Sequence, residues 1–233
     1  MANNFIRTLA KSSRTLATRA ALQRAFTVGD LTDIVAPIDL SGKKIVVTGA
    51  SSGIGEEAAR QLAAEGATVI LVARGIGELE RVASEISAGG GSAFAVSGDL
   101  STEKGVGDVL DAVLTRFGTP DIIVNNAGRS IRRSVADSTG RMHDFQRTMA
   151  INYFGPIGLT LGVLDEFLRR DSGQFINVCT WGVTNGSMPR FAAYAASKAA
   201  LAAFGRSLAA ELLDTGVSVT NVCFPLVNTP MIA

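Results

Sequence analysis

The sequence predicts an α/β fold, a doubly wound parallel sheet in a single domain. Three observations carry this. From Ser41 onward, β-branched apolar runs alternate with alanine-rich amphipathic segments, which is the pattern of repeated strand–helix units. The apolar runs contain few polar positions, as strands covered on both faces require. Hydrophobic residues make up 47% of the 233, ample for one such core and tight for two.

The strands are expected at 44–48, 68–73, 93–97, 121–125, 174–179 and 217–223. Helices are expected between and after them at 53–65, 76–88, 103–117, 141–170 and 191–215. Gly66, Gly118 and Gly216 each follow a helix, where a left-handed cap costs glycine least. The run Gly89-Gly90-Gly91 reads as a loop, and no internal repeat is visible.

Residues 1–40 stand outside the pattern as a basic leader and linker ending near Pro37, before a domain spanning 41–233. Up to Gly29 the chain carries Arg7, Lys11, Arg14, Arg19 and Arg24 and no acid, although the whole chain is only +1. That balance gives no reason to expect a nucleic-acid partner. Leu9, Leu16 and Leu22 among the arginines fit a solvated tail, a helix touching a membrane surface, or an organelle presequence. No stretch approaches the ~18 apolar residues of a membrane span. Cys179 and Cys223, both inside strand runs, read as buried free thiols of a reducing, cytoplasmic compartment. One histidine, His143, and two separated cysteines supply no metal site.

The first predicted strand runs into Gly49, Ala50, Ser51, Ser52, Gly53, Ile54 and Gly55 and then directly into a helix. Glycines here let the backbone turn sharply and approach a pyrophosphate, which the N–H groups and positive end of the following helix hold. A plain tight turn uses the same residues, but the strand before and the helix after favour a Rossmann-type dinucleotide cradle. The second strand ends in Ala73, where an NAD site carries an acid, and Arg74 follows it. A carboxylate repels a 2′-phosphate and an arginine pairs with one, so NADP(H) is expected over NAD(H).

The wording Thr-Gly-Ala-Ser-Ser-Gly-Ile-Gly resembles the short-chain dehydrogenase/reductase family, and the resemblance runs from about residue 41 to 233. It implies that Asp99 and Leu100 contact adenine, and that Asn125, Asn126, Ala127 and Gly128 brace the sheet and line the cofactor. Tyr194 and Lys198, four apart on one helix face, match the family's proton-transfer pair. A free phenol has a pKa of about 10, and a neighbouring ammonium would favour its ionised form. Thr180 takes the place of the family's serine, fourteen residues before the tyrosine rather than the commoner thirteen. Asn152 matches the asparagine that holds a proton-relaying water. Val227 and Thr229 fall in the family's loop over the nicotinamide, with Leu226 in place of a glycine. The family's seventh, edge strand is not found before Ala233, and its two long helices form dimer faces, implying a homodimer or homotetramer.

Within the family, the stretches Asn125–Ser134, His143–Gly155, Arg190–Leu201 and Pro225–Ala233 resemble the bacterial fatty acyl-CoA reductases. That implies a lipophilic substrate presented as a coenzyme A thioester. Arg129, Arg132 and Arg133, just beyond the fourth strand, either attract its phosphates or form a solvated basic turn. Trp181 either shapes the substrate pocket or merely ends a strand. A reductase of a bulky ketone, aldehyde or alcohol would use the same residues. A cofactor-binding protein without turnover is the remaining alternative.

Overall fold

The computed structural model describes residues 39–227 and 229. The basic leader lies outside the described residues apart from its last two positions. Six strands form one sheet: β1 (Lys44–Thr48), β2 (Thr68–Ala73), β3 (Ser92–Ser97), β4 (Ile122–Asn125), β5 (Gly173–Thr180) and β6 (Val217–Phe224). Their order is β3-β2-β1-β4-β5-β6, and every neighbouring pair is parallel. The order reverses between β1 and β4, which opens a crevice at the carboxyl ends of the strands. This is the Rossmann-type doubly wound sheet expected.

Alternation along the strands builds two layers of core. Ile45, Val47, Val69, Leu71 and Val124 face α1 (Gly53–Ala64) and α2 (Ile76–Ala88), meeting Leu62, Leu79 and Val82. Val46, Ile70, Ile123 and Phe175 face the other way, against Val109 and Val113 of α3 (Glu103–Phe117). Leu159, Val163 and Phe167 of α5 (Gly155–Arg169) complete that second layer. Side chains such as Leu62 and Phe167, with no exposed surface, each contribute about 2–3 kcal/mol of burial.

The long helix expected over 141–170 is broken into α4 (Met142–Met149), a π-helical turn over Ala150–Phe154, and α5. Pro156 explains part of this: it has no N–H to give to the Asn152 carbonyl four residues back. The helix expected over 191–215 occupies Ala192–Glu211, here α7, after a short α6 (Gly182–Asn185) that was not expected. Gly66 and Gly118 do adopt positive φ, at 90° and 70°. Gly216 does not. Its role is close approach, because a Cβ there would overlap the Asp171 carbonyl, and its N–H donates to Asp171 Oδ1 at 2.5 Å.

A ladder of amides crosses the carboxyl half of the sheet. Asn125, Asn177 and Asn221 are register partners on β4, β5 and β6. Asn125 Nδ2 donates to Asn177 Oδ1 at 3.0 Å, Asn177 Nδ2 to Asn221 Oδ1 at 3.0 Å, and Asn221 Nδ2 to the Ala202 carbonyl at 2.9 Å. It ties the sheet to α7, the helix that carries Tyr194. Cys179 and Cys223 are register partners on β5 and β6, both free, the first buried and the second half-buried.

Candidate active site

The cradle after β1 is built by exclusion of side chains. Gly49 has φ of 65° and Gly53 of 59°, values that L side chains rarely adopt. A Cβ on Gly55 would overlap the Gly49 carbonyl oxygen and the Asn126 amide nitrogen, so α1 can start this close to the strand end with glycine alone. Asn126 Nδ2 donates to the carbonyls of Thr48 and Gly49, at 2.8 and 3.2 Å, and so ties the cradle to the segment after β4. Thr48 was not singled out from sequence. Its buried hydroxyl donates to the Val124 carbonyl and accepts the N–H groups of Asn126 and Ala127, both at 2.9 Å.

The crevice is a cavity of about 990 Å³. Gly49, Ser51, Ser52, Gly53 and Ile54 form its floor, and Arg74 lies at the end of β2. Asp99 and Leu100 enter from beyond β3, Asn126, Ala127, Gly128 and Arg129 from beyond β4, and Thr229 from the chain's far end. Gly55 packs beneath rather than lining the cavity. Sequence reasoning missed the part of the wall made by Gln146, Arg147, Ala150 and Ile151. Their spacing places them on one helical face, a signal that was available.

The catalytic candidates stand beside this cavity. Thr180 ends β5, buried, with its hydroxyl near enough to the Tyr194 phenol to favour the ionised form of that phenol. Lys198, one turn along α7, is 3% exposed and its Nζ donates to the Val178 carbonyl at 2.7 Å. Gly128 joins cavity and catalytic group: a Cβ there would sit 3.1 Å from Asn152 Oδ1 and 3.5 Å from Lys198 Nζ. Phe191 holds its ring edge-on to Tyr194, centroids 6.5 Å apart.

Asn152 has no exposed surface, and both ends of its side-chain amide have partners. Oδ1 accepts the Arg129 N–H at 2.7 Å, and Nδ2 donates to the Arg129 carbonyl and to Ser197 Oγ, each at 2.9 Å. Ser197 Oγ in turn donates to the Tyr194 carbonyl at 2.7 Å. Asn152 lies in the π-helical turn, where such distortions often mark function.

Electrostatics depart from one expectation. The Tyr194 phenol is not brought down. Burial pushes its pKa up, the nearby Thr180 hydroxyl opposes this, and the Cys179 thiol nearby adds to the rise. Burial also lowers Lys198 to about 8. Desolvation disfavours the charged form of both groups and is the largest cause of both shifts.

Arg132 is exposed and Arg133 is half-buried. Arg133 belongs to a structural cluster: its Nε lies 3.7 Å from Asp144, a 4% exposed carboxylate that also takes Arg141 at 2.7 Å and Arg147 at 2.6 Å. Its N–H donates to the Arg190 carbonyl at 2.7 Å, beside the Arg133–Phe191 bridge that holds the approach to α7. Trp181 is 40% and Leu226 71% exposed, and Val227 is half-buried. Among the described residues, no cluster of histidine, cysteine and carboxylate side chains could hold a metal ion, and no helix is long and apolar enough to cross a membrane.

Comparison with known proteins agrees with this geometry. The family model for short chain dehydrogenase matches residues 43–233. A fatty acyl-CoA reductase of Mycobacterium tuberculosis is 46% identical over 197 residues, covering 84% of this chain and 67% of that protein. A fatty acyl-CoA reductase of Acinetobacter baylyi is 46% identical over 195 residues, covering 84% and 66%. This chain thus spans about two thirds of the length of these relatives. The crystal structure of L-sorbose reductase from Gluconobacter frateurii, complexed with NADPH and L-sorbose, superposes with a TM-score of 0.78 at 30% identity, covering 84% of this chain and 73% of that one. The glycine cradle, the parallel sheet and the threonine–tyrosine–lysine group thus occur in a chain that belongs to the short-chain dehydrogenase family.

Proposed function

We propose that the protein is an NADP(H)-dependent reductase that converts a long-chain fatty acyl-CoA to the aldehyde. The observation that carries this reading is the meeting of Thr180, Tyr194 and Lys198 beside a cavity floored by the glycine cradle. The 46% identity to two fatty acyl-CoA reductases supports the choice of substrate.

The residues present fit a dinucleotide. A Cβ at Gly49 or Gly55 would collide with the segment that the backbone must approach, and a volume of about 990 Å³ suits a long ligand. Gly49, Ser51, Ser52, Gly53 and Ile54 would hold the phosphates, Asp99 and Leu100 the adenine, and Asn126, Ala127 and Gly128 the ribose side. Thr229 lines the same cavity, and Val227 two residues earlier would reach the carboxamide. Arg74 in place of an acid supports NADP(H). The bound cofactor supplies the hydride.

The reaction balances as acyl-CoA, NADPH and a proton giving aldehyde, NADP+ and free coenzyme A. Hydride adds to the thioester carbon while the carbonyl electron pair moves to oxygen, which takes the Tyr194 proton. Thr180 donates to that oxygen and steadies its charge. The hemithioacetal then collapses: its hydroxyl proton passes to the departing sulfur as the carbon–sulfur bond breaks and the carbonyl reforms, which leaves the aldehyde, the free thiol and an unprotonated Tyr194. Lys198, held by Val178, places a positive charge behind the phenol and favours its recharging through Asn152. No cysteine nucleophile is used, and burial pushes the Cys179 thiol up to about 11.

We further propose that two copies associate through α5 and the end of the π-helical turn before it. Phe154, Leu161 and Leu168, seven residues apart in turn, are 62%, 59% and 40% exposed. An apolar stripe at this spacing suits a helix–helix contact.

The test is NADPH oxidation by purified protein offered palmitoyl-CoA, a long-chain aldehyde or a bulky ketone, with NADH as control. Oxidation that requires the thioester and releases thiol is expected. Oxidation with the aldehyde or ketone alone would replace the acyl-CoA reading, and none with any substrate would overturn the reductase.

A further inference from the structure

Three arginines line the cavity, and they differ in what already holds them. Arg147 Nη2 donates to Asp144 Oδ1 at 2.6 Å, so its charge is met within the protein. Arg74 and Arg129 have exposed side chains with no ion pair or side-chain hydrogen bond among the described residues. The backbone beneath Arg129 is pinned at both its N–H and its carbonyl by the buried Asn152 amide, at 2.7 and 2.9 Å. A free cation on a fixed stem loses little further freedom on meeting an anion.

The topology brings the two residues to the same cavity. β2 and β4 both pair with β1, so the residues after them emerge on either side of it, about 10 Å apart. Two extended arginines reaching inward span that gap. Asp99 stands near both: its carboxyl is held below the ordinary range first by Ser101, and more weakly by the charges of Arg74 and Arg129.

We propose that Arg129 is a cofactor residue, the second guanidinium of a clamp that Arg74 begins, closing on the phosphomonoester of a 2′-phosphorylated adenosine. Such a dianion offers enough oxygens for both forks, and two charge-assisted contacts discriminate against a free 2′-hydroxyl more than one can. Arg129 then has no part in holding the acyl carrier. The inference rests on the NADP(H) reading above.

The test is equilibrium binding of NADPH, NADH and 2′,5′-ADP to the full chain by calorimetry, for wild type, Arg129→Ala, Arg129→Lys and Arg74→Ala. Arg129→Ala is expected to weaken NADPH and 2′,5′-ADP about tenfold or more and NADH by less than about twofold, with partial recovery in Arg129→Lys. Arg74→Ala is expected to do the same. Loss confined to Arg74→Ala would sink the clamp while leaving the NADP(H) reading intact. Unchanged NADPH-to-NADH ratios in both alanine variants would remove that reading itself. Equal weakening of NADPH and NADH by Arg129→Ala would place the residue on the diphosphate and overturn the clamp. A raised KM for acyl-CoA with unchanged NADPH affinity would return Arg129 to the substrate side.

Discussion

Lys198 Nζ and the Val178 carbonyl, 2.7 Å apart, fix the ammonium to the strand that ends in Thr180. The bond holds Lys198 in place but does not offset its burial, and the group loses its proton at about 8. Below that pH it is charged and above it neutral. In the reduction direction Tyr194 must be protonated, and its raised pKa keeps it so well past that point. The free-enzyme limb near 8 therefore belongs to Lys198. kcat/KM for reduction is expected to fall as pH rises through about 8, and Lys198→Arg, which stays protonated, is expected to lose that limb at lower overall activity. A wild-type profile flat from about pH 6.5 to 10 would contradict this.

Thr180 is assigned as the donor that steadies the substrate oxygen. Thr180→Ser keeps the hydroxyl and is expected to retain most of the activity, whereas Thr180→Val keeps the shape and is expected to lower kcat by about a hundredfold. Steady-state kinetics on both variants checks it. Equal loss in the two would mean that shape and not the hydroxyl matters.

Gly55→Ala puts a methyl group against the Gly49 carbonyl and the Asn126 amide. Because both are held by backbone and by the Asn126 bonds to Thr48 and Gly49, the start of α1 must move. The variant is expected to lose cofactor affinity by at least about tenfold and to melt at lower temperature, as strain at a closely packed site costs about 1–3 kcal/mol. Calorimetric titration with NADPH and a thermal melt read the two effects separately.

Much of this architecture is legible in the sequence because period and punctuation agree. All six strand runs fall within a residue of their observed bounds, since all but the edge strand β3 carry several β-branched residues and the central ones lie between two helical layers. The break at Asn152 was readable in principle from Pro156, but a long apolar periodicity on either side hides a single inserted residue. The amide ladder was not legible: Asn125, Asn177 and Asn221 lie far apart in sequence, and strand register alone brings them together. Thr48 and Ser197 escaped notice for a related reason. Each is an ordinary hydroxyl whose importance comes from the number of partners the fold supplies. The Asp144 cluster likewise draws Arg133 into the structure from a run that reads, in sequence, as three equivalent arginines.

The central claim is that Tyr194 donates the proton in a hydride transfer at this site, and Tyr194→Phe tests it most directly, with NADPH affinity and palmitoyl-CoA turnover measured on the same preparation. The account predicts affinity within about threefold of wild type and turnover lower by at least about a hundredfold. Turnover near the wild-type value with intact cofactor binding would contradict it.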